Sequence, residues 1–191
     1  MPSNTSRRGR ADPVSGPLPN SYWLPGRQVC AGEYPGHWVP ATARVKLGVL
    51  LDAGIRSFVD LTEPRDGLSP YEAQLHEAAT ERSADVRYVR LGVRDMDIPA
   101  IPHMSRILDH IAVEVAAGRT VYLHCWGGVG RTGTVVGCYL AHGRRSGDEA
   151  LALLAELWQA MSAEKLNDFP ESPQTPAQRD FVRNWTSPPS P

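Results

Sequence analysis

The sequence predicts a single α/β domain: a central, mostly parallel sheet flanked by helices. Three observations carry this expectation. Short apolar runs alternate with longer segments of helical period. The run "TVYLHC" passes straight into a glycine-rich turn and then into a helical segment, the strand–loop–helix order of parallel sheets. The length, 191 residues, suits one domain with a proper core, and 41% hydrophobic against 21% charged residues is ordinary for a folded soluble chain.

Residues 1–20 are rich in Pro, Ser, Gly and Arg and are expected to be a disordered tail; the domain proper is 21–186, and "SPPSP" at 187–191 a frayed end. Residues 22–36 mix aromatics with Gly and Pro, as short edge strands and turns do. Residues 41–54 place Val45, Val49 and Leu50 at helical spacing before Gly54. "IRSFVDLT" (55–62) is a buried strand. Residues 69–82 form a helix with Ser69 as cap and Pro70 in its first turn. Alternation over 85–93 gives another strand. In 101–118, Ile107, Leu108, Ile111 and Val115 share one helix face, ending at Gly118. "TVYLHC" (120–125) is the third of these strands, followed by the glycine loop and a helix from Arg131. Residues 147–165 are an amphipathic helix with Asp148 as cap, and 175–185 the last helix.

Composition narrows the function classes. Twenty Lys+Arg against 21 Asp+Glu leave a net charge of -1, so no nucleic acid partner is expected. Cys30, Cys125 and Cys138 are an odd, widely spaced set, which fits a reducing, cytoplasmic setting better than a disulfide framework. No apolar run reaches the roughly 18 residues of a membrane span, and no apolar segment follows the N-terminal arginines as in a secretory signal. The six histidines show no metal-ligand spacing. No cofactor, metal or membrane is expected, and the oligomeric state is left open.

The stretch "HCWGGVGRTG" (124–133) carries the chemistry. Its glycines let backbone N–H groups turn inward as an anion nest, and a helix starting near Arg131 adds its positive end. Arg131 can fork two oxygens of a phosphate. The strand delivers Cys125 into this positive cup, where helix N-termini and nearby cations favour thiolate over thiol. A thiolate in an oxyanion cradle is equipped to attack phosphorus.

His124-Cys125-Trp126-Gly127-Gly128-Val129-Gly130-Arg131-Thr132-Gly133 resembles the H-C-x-x-G-x-x-R-[ST]-G loop of the protein tyrosine phosphatase superfamily, and its glycines and Thr132 are closest in kind to the compact dual-specificity branch. The resemblance implies a tyrosine phosphatase-like fold and a phosphomonoester hydrolase acting on a phosphorylated protein or a small phosphoester. It implies that Cys125 takes the phosphoryl group, that Arg131 clamps its oxygens, and that Thr132 stabilises the thiolate when it leaves again. His124 would hold the loop through backbone hydrogen bonding, and the amides of Trp126, Gly127, Gly128, Val129, Gly130 and Arg131 would complete the cradle. A bare C-x-x-x-x-x-R is shared with rhodaneses and with low-molecular-weight tyrosine phosphatases.

Such chemistry needs a proton for the leaving oxygen. Asp95 and Asp97 are the candidates; Asp95 with Pro99 resembles the D-x-x-x-P of the larger tyrosine phosphatases, so Asp95 is preferred and Asp97 kept as the alternative. "QTPAQ" (174–178) is similar to the Q-T-x-x-Q segment of those enzymes, which implies that Gln174 orients the hydrolytic water with help from Gln178; an ordinary helix cap accounts for it equally well. Cys138 is expected to pack in the core, because a helical rise of roughly 10 Å separates it from the loop. The side chain of Trp126 is expected either in the core or at the pocket rim.

Overall fold

The computed structural model describes residues 15–142 and 145–186. Most of the expected tail (1–14) and the expected frayed end (187–191) therefore lie outside the described residues. Residues 15–20 pack against the domain: Ser15 bridges Tyr22, and the Ser21 hydroxyl donates to the Leu18 carbonyl at 2.7 Å.

Five strands, β1 (Ser21–Trp23), β2 (Val29–Gly32), β3 (Ile55–Asp60), β4 (Arg87–Arg90) and β5 (Thr120–His124), pair in the order β1-β2-β5-β3-β4. Only β1 runs antiparallel to its neighbour. β2 is therefore an interior strand, not the edge strand its Gly- and Pro-rich surroundings suggest. The four parallel strands end level: Gly32 pairs with His124, His124 with Asp60, and Asp60 with Arg90. Their outgoing loops open at one end of the sheet, where parallel α/β sheets bind ligands.

Strand alternation divides the core into two layers. Phe58 and Tyr122 face α1 (Pro40–Asp52) and α2 (Glu72–Thr80), while Val59, Val121 and Leu123 face the opposite side. That second layer holds α3 (Ile101–Ala116), α4 (Gly130–Ala141), α5 (Gly147–Trp158), α6 (Ala163–Asp168) and α7 (Pro176–Arg183). Every residue of α4 except Tyr139 is buried, because the helix lies between the sheet, α3, α5 and α7. Such a helix needs small residues where its neighbours press closest. A Cβ at Gly137 would stand 2.7 Å from the Val182 methyls.

Several local expectations are corrected. In α1 the buried row is Ala43, Leu47, Leu50 and Leu51, while Val45 and Val49 face solvent: packing against β3 and α2 overrides a spacing that fits either row. α2 starts at Glu72, and neither Ser69 nor Pro70 opens it; the residue at its N-cap is Tyr71, held there by a buried side chain. The helix expected over 147–165 is two helices. α5 is capped by Ser146, which exchanges hydrogen bonds with Glu149, so Asp148 is a first-turn acid and not the cap. Ser162 caps α6 by accepting from the Lys165 amide. A 3-10 turn at Pro64–Asp66 follows β3 and has no counterpart in the sequence reading.

The Ser146 box gives a simple test of how α5 is held. Ser146→Ala is expected to cost about 1 kcal/mol of stability, read as a lower urea midpoint with an unchanged slope. Asp148→Ala should shift the midpoint by much less.

Candidate active site

His124 and Cys125 are neighbours at the end of β5, so they leave it on opposite faces. His124 points into the layer of α1 and α2, among Tyr34, Tyr71 and Tyr122, with ring centroids 5.5, 5.5 and 5.6 Å from its own. Its Nδ1 lies 3.1 Å from the Cys125 carbonyl, which can only accept, so Nδ1 carries the hydrogen. Nε2 then accepts from the Tyr71 hydroxyl at 2.7 Å. Burial holds the imidazole below its ordinary range, outweighing Asp60, whose carboxylate lies 3.9 Å from Nδ1. Asp60 is also buried. Burial pushes its carboxyl up, but hydrogen bonds from the Thr62 amide (2.8 Å), the Thr62 hydroxyl (2.6 Å) and Tyr88 (2.8 Å) outweigh that, and the group is held below the usual carboxylate range.

On the other face the chain turns through Cys125 into the glycine loop. Gly128 has φ +71 and a Cβ there would stand 2.7 Å from the Gly32 carbonyl oxygen, so both conformation and space require glycine. Among the described residues no acceptor takes a backbone N–H from Trp126 to Arg131. α4 begins at Gly130, which places the positive end of a helix at the same point. The Trp126 side chain, 58% exposed, stands at the rim of the cavity, while its carbonyl accepts from the Tyr34 amide.

Arg131 is 2% exposed. Its Nη1 donates to Asp66 at 2.6 Å and to the Val93 carbonyl at 3.1 Å, and its Nη2 meets Asp95 at 3.0 Å. Its Nε–H is buried with no partner, and so is the hydroxyl of Thr132. Desolvation works against the guanidinium charge, but the neighbouring Cys125 sulfur and the Asp66 and Asp95 carboxylates outweigh it. Unpaired donors in a buried cationic site leave hydrogen-bonding capacity for an oxyanion.

Asp95 lines the cavity with a half-exposed carboxylate. The Asp97 carboxylate instead accepts from the Ile98 amide at 2.8 Å and is absent from the cavity wall. Between them Met96 takes φ +61, a left-handed turn. Gln174 lines the cavity. Gln178 is buried and joins the Thr175 cap of α7 to the loop that carries Asp95 and Asp97, its Nε2 donating to the Asp97 carbonyl at 3.1 Å. Asp66 escaped the sequence reading; two carboxylates in a Pro/Gly turn directly after a buried strand ("TEPRDG") were the available signal. The cavity above the loop holds about 650 Å³ and is also lined by Glu33, Tyr34, His37, Trp38, Lys46 and Lys165. Cys30 and Cys138 are free and buried, away from this wall; burial pushes the Cys30 thiol up to about 12, and Cys138 higher still.

The full loop from His124 to Gly133, held between the central strand and a buried helix, and a family match over more than half of the chain make this a protein of the tyrosine phosphatase superfamily. Within it, the chain belongs to the family described as polymorphic toxin system, DSP-PTPase phosphatase, which it matches over residues 33–144. It is 26% identical over 134 residues to the Arabidopsis thaliana phosphatidylinositol 3,4,5-trisphosphate 3-phosphatase and protein-tyrosine-phosphatase PTEN1, a match covering 69% of this chain and 30% of that protein. Among solved structures, Tk-PTP in its active form superposes with a TM-score of 0.63 at 23% identity, over 86% of this chain and 94% of that one. PTPMT1 in complex with PI(5)P gives 0.61 at 20% identity, over 85% and 92% of the two chains. The core catalytic domain of the PP-IP phosphatase SIW14 from S. cerevisiae gives 0.57 at 14%, over 88% of each. At these identities the structural likeness is one of fold.

Two outcomes are expected from the site. Because burial depresses the His124 pKa, the unfolded chain takes up a proton there before the folded chain does. That contribution to stability is complete above pH of about 6.5 and is lost as pH falls, by at most about 1.4 kcal/mol per pH unit. The urea midpoint should therefore drop between pH 7 and pH 5; a flat or rising midpoint would contradict a buried neutral imidazole. Arg131→Lys removes the unpaired Nε–H, and tungstate, a phosphate mimic, should then bind about tenfold more weakly by calorimetry, as expected for loss of a charge-assisted hydrogen bond.

Proposed function

We propose that the protein hydrolyses phosphomonoesters in two steps through a phosphocysteine. The observation that carries this reading is Arg131: a guanidinium that cannot shed its charge, buried beside the Cys125 sulfur, with its Nε–H free of protein partners. A phosphate seated on the loop amides and Arg131 takes over the hydrogen bonding that Asp95 supplies in the unliganded site. Asp95, protonated, is then free to serve the leaving oxygen.

Cys125 Sγ attacks phosphorus in line, forming the P–S bond as the ester P–O bond breaks, and Asp95 gives its proton to the departing oxygen. In the second step the Asp95 carboxylate accepts a proton from water, the water oxygen bonds to phosphorus, and the P–S bond breaks. Cys125 leaves as thiolate, which the unpaired Thr132 hydroxyl can stabilise by donating to it. His124 and Asp66 act at one remove, His124 on the Cys125 carbonyl and Asp66 on the guanidinium. Gln174, on the cavity wall, is placed in the role of orienting the water; Gln178 belongs to the scaffold of the acid loop.

The family description and the curated relative support a phosphorylated protein or a phosphoinositide as substrate class, since the latter's name covers both a lipid and a protein activity. A reducing, cytoplasmic site of action is supported by three unpaired thiols, and no helix among the described residues is long and apolar enough to cross a membrane.

Hydrolysis of p-nitrophenyl phosphate tests the reading. Activity should peak on the acidic side of neutral, because Asp95 must be protonated while Cys125 is ionised, and Cys125→Ser should abolish it. Asp95→Asn should lower kcat by about a hundredfold or more, the range of a general acid, and Asp97→Asn by no more than about twofold. A rate rising steadily to pH 9, or one indifferent to Cys125, would sink the mechanism.

A further inference from the structure

The glycine loop contains no lysine, yet the fold brings two to the cavity above it, Lys46 from α1 and Lys165 from α6. Lys165 is mostly buried and held in place: its Nζ lies 2.7 Å from Glu33 Oε1 and 5.1 Å from the centre of the Phe169 ring. Asn20 donates to the same Glu33 oxygen at 3.1 Å, which fixes the carboxylate as well. A Cβ at Gly127 would stand 3.6 Å from this Nζ, so the ammonium is beside the phosphate loop itself.

The wall holds two lysines against two carboxylates, but the pairing leaves Lys46 out. Its two carboxylates are both engaged, Glu33 with Lys165 and Asp95 with Arg131. Lys46 is half-buried, lines the same cavity, and makes no ion pair or hydrogen bond among the described residues. His37 lines this wall too; its Nδ1 accepts from the Val39 amide at 2.9 Å, which leaves Nε2 as a donor. A cavity of about 650 Å³ is far larger than one phosphate needs and falls in the size range of pockets that enclose a whole small ligand.

We infer that Lys46, with His37 and the flank of Lys165, forms a second anion subsite, and that the substrate is a phosphomonoester bearing another anionic group. This rests on the phosphatase reading above. The scissile phosphate occupies the loop and Arg131, while the second anion meets Lys46, which has no ion-pair partner among the described residues. The assignment separates polyanionic small phosphoesters, or their lipid-borne forms, from simple monophosphates.

The test compares phenyl phosphate with its meta-phosphonate derivative on the native protein, Lys46→Gln and Lys46→Arg. The native protein should favour the dianionic-arm substrate by about tenfold or more in kcat/KM, mainly through KM, and added salt should erode the preference. Lys46→Gln should reduce that ratio by about tenfold and Lys46→Arg restore it, as a charge-assisted contact requires. Turnover of both substrates with equal kcat/KM, or a ratio untouched by Lys46→Gln, overturns the subsite while leaving the phosphatase reading intact. If neither is turned over, the phosphatase reading fails, and calorimetry of both ligands on Cys125→Ser decides the subsite by itself: tighter binding of the phosphonate derivative supports it, equal binding overturns it. A soluble inositol bisphosphate compared with the same headgroup on diacylglycerol in phosphatidylcholine vesicles then identifies the source, each result being a form of the same subsite.

Discussion

The buried charge of Arg131 organises the catalytic end of the molecule. A guanidinium stays protonated at any biological pH, so its removal from water has to be offset by partners in fixed positions. Those partners come from two loops: Asp66 and the Leu61 carbonyl from the segment after β3, the Val93 carbonyl and Asp95 from the segment after β4. Arg131 itself belongs to α4, which the whole second layer encloses. One ion thus draws the ends of neighbouring strands toward the helix that follows the central one. It still keeps one N–H in reserve, the opposite of what a purely structural arginine would do.

His124 provides the counterpart on the other face. Its two ring nitrogens are committed to Tyr71 and to the Cys125 carbonyl, and Asp60 beside it is saturated by Thr62, Tyr88 and Arg90. This polar cluster, enclosed by aromatic rings, fixes the orientation of the last peptide of β5 and therefore the direction in which the thiol emerges. It also explains why α2 begins where it does, since Tyr71 is held by its hydroxyl. The two sides of one strand end serve different purposes: one holds position, the other presents chemistry.

What could be read from the chain and what could not divide along the distance over which each feature is determined. Cys125, the glycines and Arg131 are adjacent in sequence, and their chemistry follows from short-range geometry, so the loop and its strand–helix setting were legible. Asp95 was preferred over Asp97 on its spacing from Pro99 alone, because which carboxylate lines the cavity depends on a loop with a left-handed turn at Met96 and a contact from Gln178 about eighty residues later. Gln178 itself resembles a helper of catalysis in sequence and is a buried strut in space. Val45, Val49 and Leu50 mark α1 as a helix without showing which side is buried, because apolar spacing alone fits two rows of it. Asp66, Lys46 and Lys165 reach the site only through tertiary packing, from loops and helices that carry no motif.

The Glu33–Lys165 pair, and the Gln178 side chain on the acid loop, make the site a property of nearly the entire chain. β2 must pair with β5 about ninety residues later, and α6 and α7 must then close over the loop from beyond it. Such contacts carry a high closure cost, since each closes a long stretch of chain. A nascent polypeptide still lacking α6 and α7 has Cys125 and Arg131 but neither Lys165 and Gln174 in the cavity wall nor the Gln178 contact to Asp97. Synthesis and competence are in that way separated in time: Cys125 and Arg131 are made before the helices that complete their surroundings.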